Sequence, residues 1–259
     1  MKTCVLLACL AVTAVAFDGS GSITSDSELA AMLSPTTALD GGNHRAGVCG
    51  GGDITSESDL SRYKECVEVR GCLNIVGLPV ETLDALTKLE RIVADSTVKC
   101  TDIEEGLRIA ACPNLKDLDA FDKLERVDGD VIVSGHEALK STSKLGTNLR
   151  VVTGSVEISN NAELADVGAS WDFHNGQLPG SLTVEENAML ANIRGFQTVQ
   201  HADGVKVCGS NELQSLAGLE KLTLVGKGGL KVCNNAALHD TSHKYDTCSA
   251  RAVGAKLRG

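Results

Sequence analysis

Six histidines and ten cysteines are the residues of this 259-residue chain best suited to chemistry, and their spacing argues against most of it. His239-x3-His243, with Asp240 and Cys248 nearby, sets two imidazoles four residues apart, which on a helix puts both on one face as a metal pair requires. The glutamate that serves as general base in the metalloprotease form of that spacing is absent, and a polar C-terminal cap is the competing reading. No Gly-x-Ser-x-Gly nucleophile elbow occurs. Gly50-Gly51-Gly52 and Gly226-Lys227-Gly228-Gly229 lack the spacing and the Ser/Thr of a phosphate loop and read as turns. The expectation is therefore no catalytic residue, no metal and no cofactor.

The cysteines divide into two sets. Residues 1–16 read as a secretory signal peptide: Lys2 supplies the charge, Val5 to Val15 are mostly apolar, and Ala14-Val15-Ala16 is a small-x-small cleavage site. That run is shorter than the roughly 20 apolar residues a membrane span needs. The C-terminal tail, 249–259, has no hydrophobic segment of the glycolipid-anchor type. Cleavage before Phe17 removes Cys4 and Cys9 and leaves Cys49, Cys66, Cys72, Cys100, Cys112, Cys208, Cys233 and Cys248. An even set in a secreted chain favours disulfides, and the absence of any Cys-x2-Cys argues against zinc. The expected location is secreted, extracellular or at the cell surface, without a membrane span.

Without Lys2, 23 basic residues stand against 34 acidic ones, a formal charge of −11. Nucleic acid is a poor partner for such a chain, because phosphate neutralisation needs basic patches. The charge is uneven: residues from Val205 onward carry +4 and residues 17–204 carry −15. Simple solubility explains the excess of acid; weak end-to-end self-association of a bipolar rod is the sharper reading.

Any site must be positioned by the repeat that fills most of the chain. Apolar triplets recur at Leu73–Ile75, Leu107–Ile109, Val131–Val133, Val156–Ile158, Leu182–Val184, Val205–Val207 and Leu230–Val232. After a first gap of 34 residues they begin 24, 25, 26, 23 and 25 residues apart. Counting the first triplet residue as zero, Leu107, Ile109, Leu115, Leu118, Phe121, Leu124 and Val127 occupy offsets 0, 2, 8, 11, 14, 17 and 20. Val205, Val207, Leu213, Leu216, Leu219, Leu222 and Val225 occupy the same offsets. A period in the twenties predicts an all-β solenoid of about seven coils of roughly 25 residues, leucine-rich-repeat-like, in which each unit buries its apolar edge against its neighbours. Residues 17–47, rich in Ser, Thr, Gly and Asp, read as a flexible leader, with one short helix over Ser25 to Leu33. Cys49 and Cys66 bracket a 16-residue segment well placed to cover the open end of the first coil.

Three stretches carry a family resemblance: the Val48-Cys49…Asp53-Ile54 opening, the Cys66-Val-Glu-Val-Arg-Gly junction, and lines such as Leu182-Thr-Val-Glu-Glu-Asn187-Ala-Met-Leu190. Over 48–248 the chain resembles the receptor L-domain of the insulin and epidermal growth factor receptors, found also in fungal cell-wall proteins. The resemblance implies a right-handed parallel β-helix with a disulfide-closed N-terminal cap, and recognition of a protein or peptide ligand. The handedness agrees with the rule for parallel crossovers. Receptors of this family pair two such domains around a cysteine-rich module and add a membrane span; this chain has one solenoid and neither addition, so receptor signalling does not carry over.

Offset 5 carries Cys112, His136, Asn161, Asn187, Ser210 and Asn235, and Asn161, Asn187 and Asn235 in particular predict a structural ladder that bonds neighbouring rungs and tolerates left-handed backbone angles. Gly129, Gly154, Gly180, Gly204 and Gly229 mark another corner. Cys208 and Cys233 share offset 3 on successive rungs, a spacing a disulfide can bridge, with Cys248 competing for either. Cys72 with Cys100, the latter in an insertion from Val93 to Gly106, is the pairing assigned to the N-terminal half, leaving Cys112 over. The irregular coil after Val156 holds Trp171-Asp-Phe173-His174. Trp171, Phe173 and His174 are the candidate binding residues if this loop is exposed; near offset 15 Trp171 can instead plug the core.

Outer offset 1 reads Asn74, Arg108, Ile132, Glu157, Thr183, Lys206, Lys231, too mixed to supply the clustered acids or bases of a polysaccharide-acting β-helix enzyme, the least favoured reading. No outer row repeats one residue type as an ice- or glycan-binding face requires, and no N-glycosylation sequon occurs. The function expected is a secreted non-enzymatic module that binds an extracellular protein or peptide, with a cell-wall glycan as a further candidate. The alternative is a structural component of the wall or matrix, favoured by outer rows that lack aromatic anchors.

Overall fold

The computed structural model describes residues 47–168 and 171–239. The expected signal peptide, nearly all of the leader, His243, Asp240, Cys248 and the C-terminal tail lie outside the described residues.

Each apolar triplet forms a strand because alternate residues of an extended chain point to opposite faces. Eleven strands result: β1 Val48–Ile54, β2 Glu68–Val76, β3 Arg91–Val93, β4 Gly106–Ala110, β5 Arg126–Val127, β6 Asp130–Ser134, β7 Val151–Val152, β8 Val156–Ser159, β9 Gln177–Glu185, β10 His201–Cys208 and β11 Leu224–Cys233. The fold is all-β, with every strand pair parallel in one sheet. Among the described residues two short α-helices accompany it, α1 Glu57–Ser61 and α2 Ser143–Asn148. The triplets pair without slippage: Leu73 with Leu107, Leu107 with Val131, Val131 with Val156, Val156 with Leu182, Leu182 with Val205, and Val205 with Leu230. A one-residue slip would turn every apolar side chain outward, which fixes the register. The residues at offsets 0 and 2 are buried on every rung, each contributing about 1.5–3 kcal/mol of apolar burial.

β2 serves two sides of the molecule. Its first residues, Glu68–Arg70, pair with β3, and Cys72–Val76 pair with β4. Between them Gly71 takes a φ of +97°, where an added Cβ would lie 2.4 Å from Val98. From β3 a second run of short strands continues through β5 to β7. Backbone bonds between loops form a third column: Lys116 N–H donates to Glu81 O at 3.0 Å, Ala165 N–H to Lys140 O at 3.0 Å, and Gln214 N–H to Ala191 O at 3.3 Å.

Two rows the repeat hides in sequence shape these corners. At offset 4, Gly77, Ala111, Gly135, Asn160, Glu186, Gly209 and Asn234 all have φ between +52° and +71°. The left-handed angles expected of the offset-5 row thus belong to the residue before it. At offset 10, the side-chain oxygens of Asp117, Ser141, Asp166, Asn192 and Ser215 each accept the backbone N–H two residues on, starting the next turn. Of the glycines expected to form a corner, Gly129 and Gly229 have positive φ. Gly154 and Gly180 are needed for closeness instead: a Cβ there would meet atoms of the preceding rung at 2.2 Å and 2.5 Å.

The apolar interior is capped at its N-terminal end. Cys49 and Cys66 are disulfide-bonded, and Leu60 of α1 and Tyr63 are buried over the first rung. Ser56 caps α1, accepting from Asp59 N–H at 3.2 Å while donating to Asp59 Oδ2 at 2.7 Å. A loop of 17 residues closed this way stabilises by about 3 kcal/mol in the chain-entropy model. Among the described residues Cys72–Cys100 and Cys208–Cys233 are also disulfide-bonded, so all three expected pairs are present. Cys112 is free and buried.

Candidate interaction surface

The aromatic candidates are not on the surface. Trp171 is 0 % and Phe173 1 % exposed, and Trp171 Nε1 donates to Val167 O at 2.9 Å. The Trp171 ring centroid lies 6.1 Å from that of Phe173 and 5.6 Å from that of Phe196. The preceding rung makes room for the indole: α2 places Gly146 beneath it, where an added Cβ would lie 2.7 Å from Nε1. The exposed-loop reading of Trp171 and Phe173 is therefore corrected to a core plug, and His174 alone of the three is exposed.

The polar row is also internal. Asn161 donates through Nδ2 to Val133 O at 3.1 Å, Asn187 to Ile158 O at 2.9 Å, and Asn235 to Val207 O at 2.9 Å. Each of these amides also takes a backbone N–H from the rung before: Asn161 Oδ1 from His136, Asn187 Oδ1 from Asn161, and Asn235 Oδ1 from Ser210. His136 does the same with an imidazole. Its Nδ1 accepts from Cys112 N–H at 3.3 Å, and the tautomer protonated at Nε2 donates to Ile109 O at 3.1 Å. Burial holds the His136 pKa below the usual value, opposed by its bonds to Cys112 and Ile109. Burial raises the Cys112 thiol, so this free cysteine is held as an unreactive thiol.

What remains outward is the face of the sheet running from β2 through β4, β6, β8, β9 and β10 to β11, although Asn74, Ala110, Ser159 and Cys208 within it are buried. Strand register aligns a central column of Asn74, Arg108, Ile132, Glu157, Thr183, Lys206 and Lys231. Beside it runs Val76, Ala110, Ser134, Ser159, Glu185, and the Cys208–Cys233 disulfide. On its other side lie Gly106, Asp130, Ser155, Ser181, Gly204 and Gly229, where Ser155 N–H donates to Asp130 Oδ1 at 2.7 Å and Ser181 N–H to Ser155 Oγ at 3.1 Å. Small residues flank longer ones, so the face is flat. Its hydroxyls sit among compensated charges: Glu157 accepts from Ser159 Oγ, and Lys206 pairs with Glu185.

The insertion pins the N-terminal end of this face. Thr101 N–H donates to Asp53 Oδ1 at 3.0 Å and its hydroxyl to Oδ2 at 2.7 Å, while Asn74 Nδ2 bridges Asp53 and Thr101 O. Arg108 Nη1 donates to Asn74 Oδ1 at 3.1 Å. Burial alone would raise the Asp53 carboxyl, but the bonds from Asn74 and Thr101, with the charge of Arg108, outweigh it and hold it below the usual range. Beside the insertion is an acidic groove of about 430 Å³ lined by Asp102, Glu104, Glu105, Asp130 and Ile132. Among the described residues no group of three or more His, Cys, Asp or Glu is arranged to hold a metal ion. No helix among them is long and apolar enough to cross a membrane. Met189 and Leu224 are the large apolar side chains exposed there, and they stand on different rungs. No protein-family model, curated protein or solved structure matches this chain.

Proposed function

We propose that this chain is a secreted, non-enzymatic binding module built as a right-handed parallel β-helix of the receptor L-domain kind, acting through the outer face of its long sheet. The observation that carries the reading is that face: six rungs in register, from Arg108 to Lys231, present a flat, mostly polar surface of half-exposed side chains, while the aromatics and the polar ladder are inside. Three columns of backbone bonds, each joining residues about one repeat apart, support the solenoid. Three disulfides support an oxidising, extracellular setting. A second reading, a structural spacer of a wall or matrix, is favoured by the scarcity of exposed apolar anchors, since tight protein interfaces are built on buried aromatic and apolar contacts.

The test is capture of extracellular proteins and wall glycans on the oxidised chain from Phe17 onward, beside Thr183→Arg, which projects from the middle of the face, and His174→Ala. A saturable partner lost with Thr183→Arg and kept by His174→Ala supports the proposal. A partner lost with His174→Ala alone moves the site to the loop, and no saturable partner favours the spacer.

A further inference from the structure

We propose that the two ends of the sheet are complementary, so that β11 of one copy of this chain receives β1 of a second, head to tail. Among the described residues, β11 pairs with β10 alone and β1 with β2 alone, so each has an edge of backbone groups without a strand partner. Such an edge is a template for another chain. Every pairing in the sheet is parallel, and β1 and β11 stand at opposite limits of one stacking direction. A second copy placed beyond β11 therefore presents β1 in the correct sense, one strand spacing away.

The register of that junction follows from the columns. Gly52, Asp53 and Ile54 lie opposite Leu73, Asn74 and Ile75, the rows that end in Leu230, Lys231 and Val232. Ile54 thus continues the buried row of Val232, and Asp53, whose carboxylate already accepts from Thr101 and Asn74, falls in the row of Lys231, which is exposed. Side chains can be added at Gly50 and Gly52, where no atom lies within 4 Å of a would-be Cβ, although Tyr63 OH already donates to Gly50 O at 3.2 Å on this strand. Leu224, on the β11 side, is 44 % exposed. Charge follows the same sense: residues 47–66 carry four acids against two bases, and residues 205–239 four lysines against two glutamates. A head-to-tail junction that continues the stacking direction of the strands does not rotate back on itself, so the product is an open row of copies. This goes beyond the proposed function, since it needs no foreign partner.

The test is sedimentation velocity of the oxidised chain from Phe17 onward across a concentration series. The mass is expected to rise with concentration and to fall between about 0.1 M and about 1 M salt, as the screening length shrinks from about 10 Å to about 3 Å. Lys231→Glu, on an exposed side chain, is expected to weaken association about tenfold by like-charge contact with Asp53, and Gly50→Lys, which offsets the negative charge of β1, to weaken it to a similar extent. Gly50→Lys combined with Lys231→Glu, which exchanges the charges of the two ends, is expected to restore it, which a folding defect would not do. A mass that stays monomeric throughout overturns the proposal. So does association that ignores salt and Lys231→Glu.

Discussion

The same row of side chains runs through two parts of this molecule with different success. From His136 to Asn187 each residue reaches one carbonyl behind it and takes one amide proton from the previous rung. One rung later Ser210 is fully buried and its Oγ has no hydrogen-bond partner. It is too short to reach Val184 O as Asn187 reaches Ile158 O, and it does not take up the Asn187 amide. Asn235 then resumes the pattern. The difference teaches that the row exists to satisfy buried backbone at a corner, because a side chain suited to a ligand would not be interchangeable among His, Asn and Ser.

Breaking the satisfied half should have the largest effect. Asn187→Ala removes bonds to Asn161 N, Asn161 Nδ2 and Ile158 O inside the core, and is expected to cost about 3 kcal/mol in urea unfolding. Acid attacks the same half at His136. Its folded pKa is lowered, so the unfolded chain binds more protons once pH drops below about 6.5, and stability falls from there until the folded imidazole itself titrates. The loss is about 1.4 kcal/mol for each unit by which the pKa is lowered. His136→Asn, which matches its neighbours, should flatten the melting temperature between pH 7 and pH 5 relative to wild type. The deficient half should improve: Ser210→Asn is expected to gain about 1 kcal/mol by donating to Val184 O, read in the same urea series. The smallest effect lies next door. Glu186 holds a left-handed φ of +54° where Asn160 and Asn234 sit on other rungs, and Glu186→Gly is expected to gain about 0.5 kcal/mol by relieving it.

Much of this was legible in the spacing of the residues. Apolar side chains at offsets 0 and 2 fix strand, face and register together, and two cysteines sharing offset 3 must lie on neighbouring strands. The offset-5 amides were readable for a related reason, since a polar side chain kept at one place in a buried repeat needs a backbone partner. Offsets 4 and 10 were obscured because their requirement is looser. Gly, Ala, Asn and Glu all occupy the left-handed position, and Asp, Ser and Asn all serve as the turn acceptor. Trp171 was ambiguous for a third reason: its place depends on α2 and Gly146, which belong to the rung before, and the irregular spacing of that coil concealed the match. The outer face offers the weakest signal, because a flat polar surface constrains its residues only to be small or hydrated.

Interior rows hold the fold, and the proposed function rests on the outer face. The most direct test measures stability and partner affinity together for Thr183→Arg and Asn187→Ala, using whatever partner the capture yields. The expected result is separation: Thr183→Arg melts as wild type and loses the partner, while Asn187→Ala melts early yet binds with wild-type affinity when folded. Binding retained by Thr183→Arg, or lost by folded Asn187→Ala, would contradict the claim.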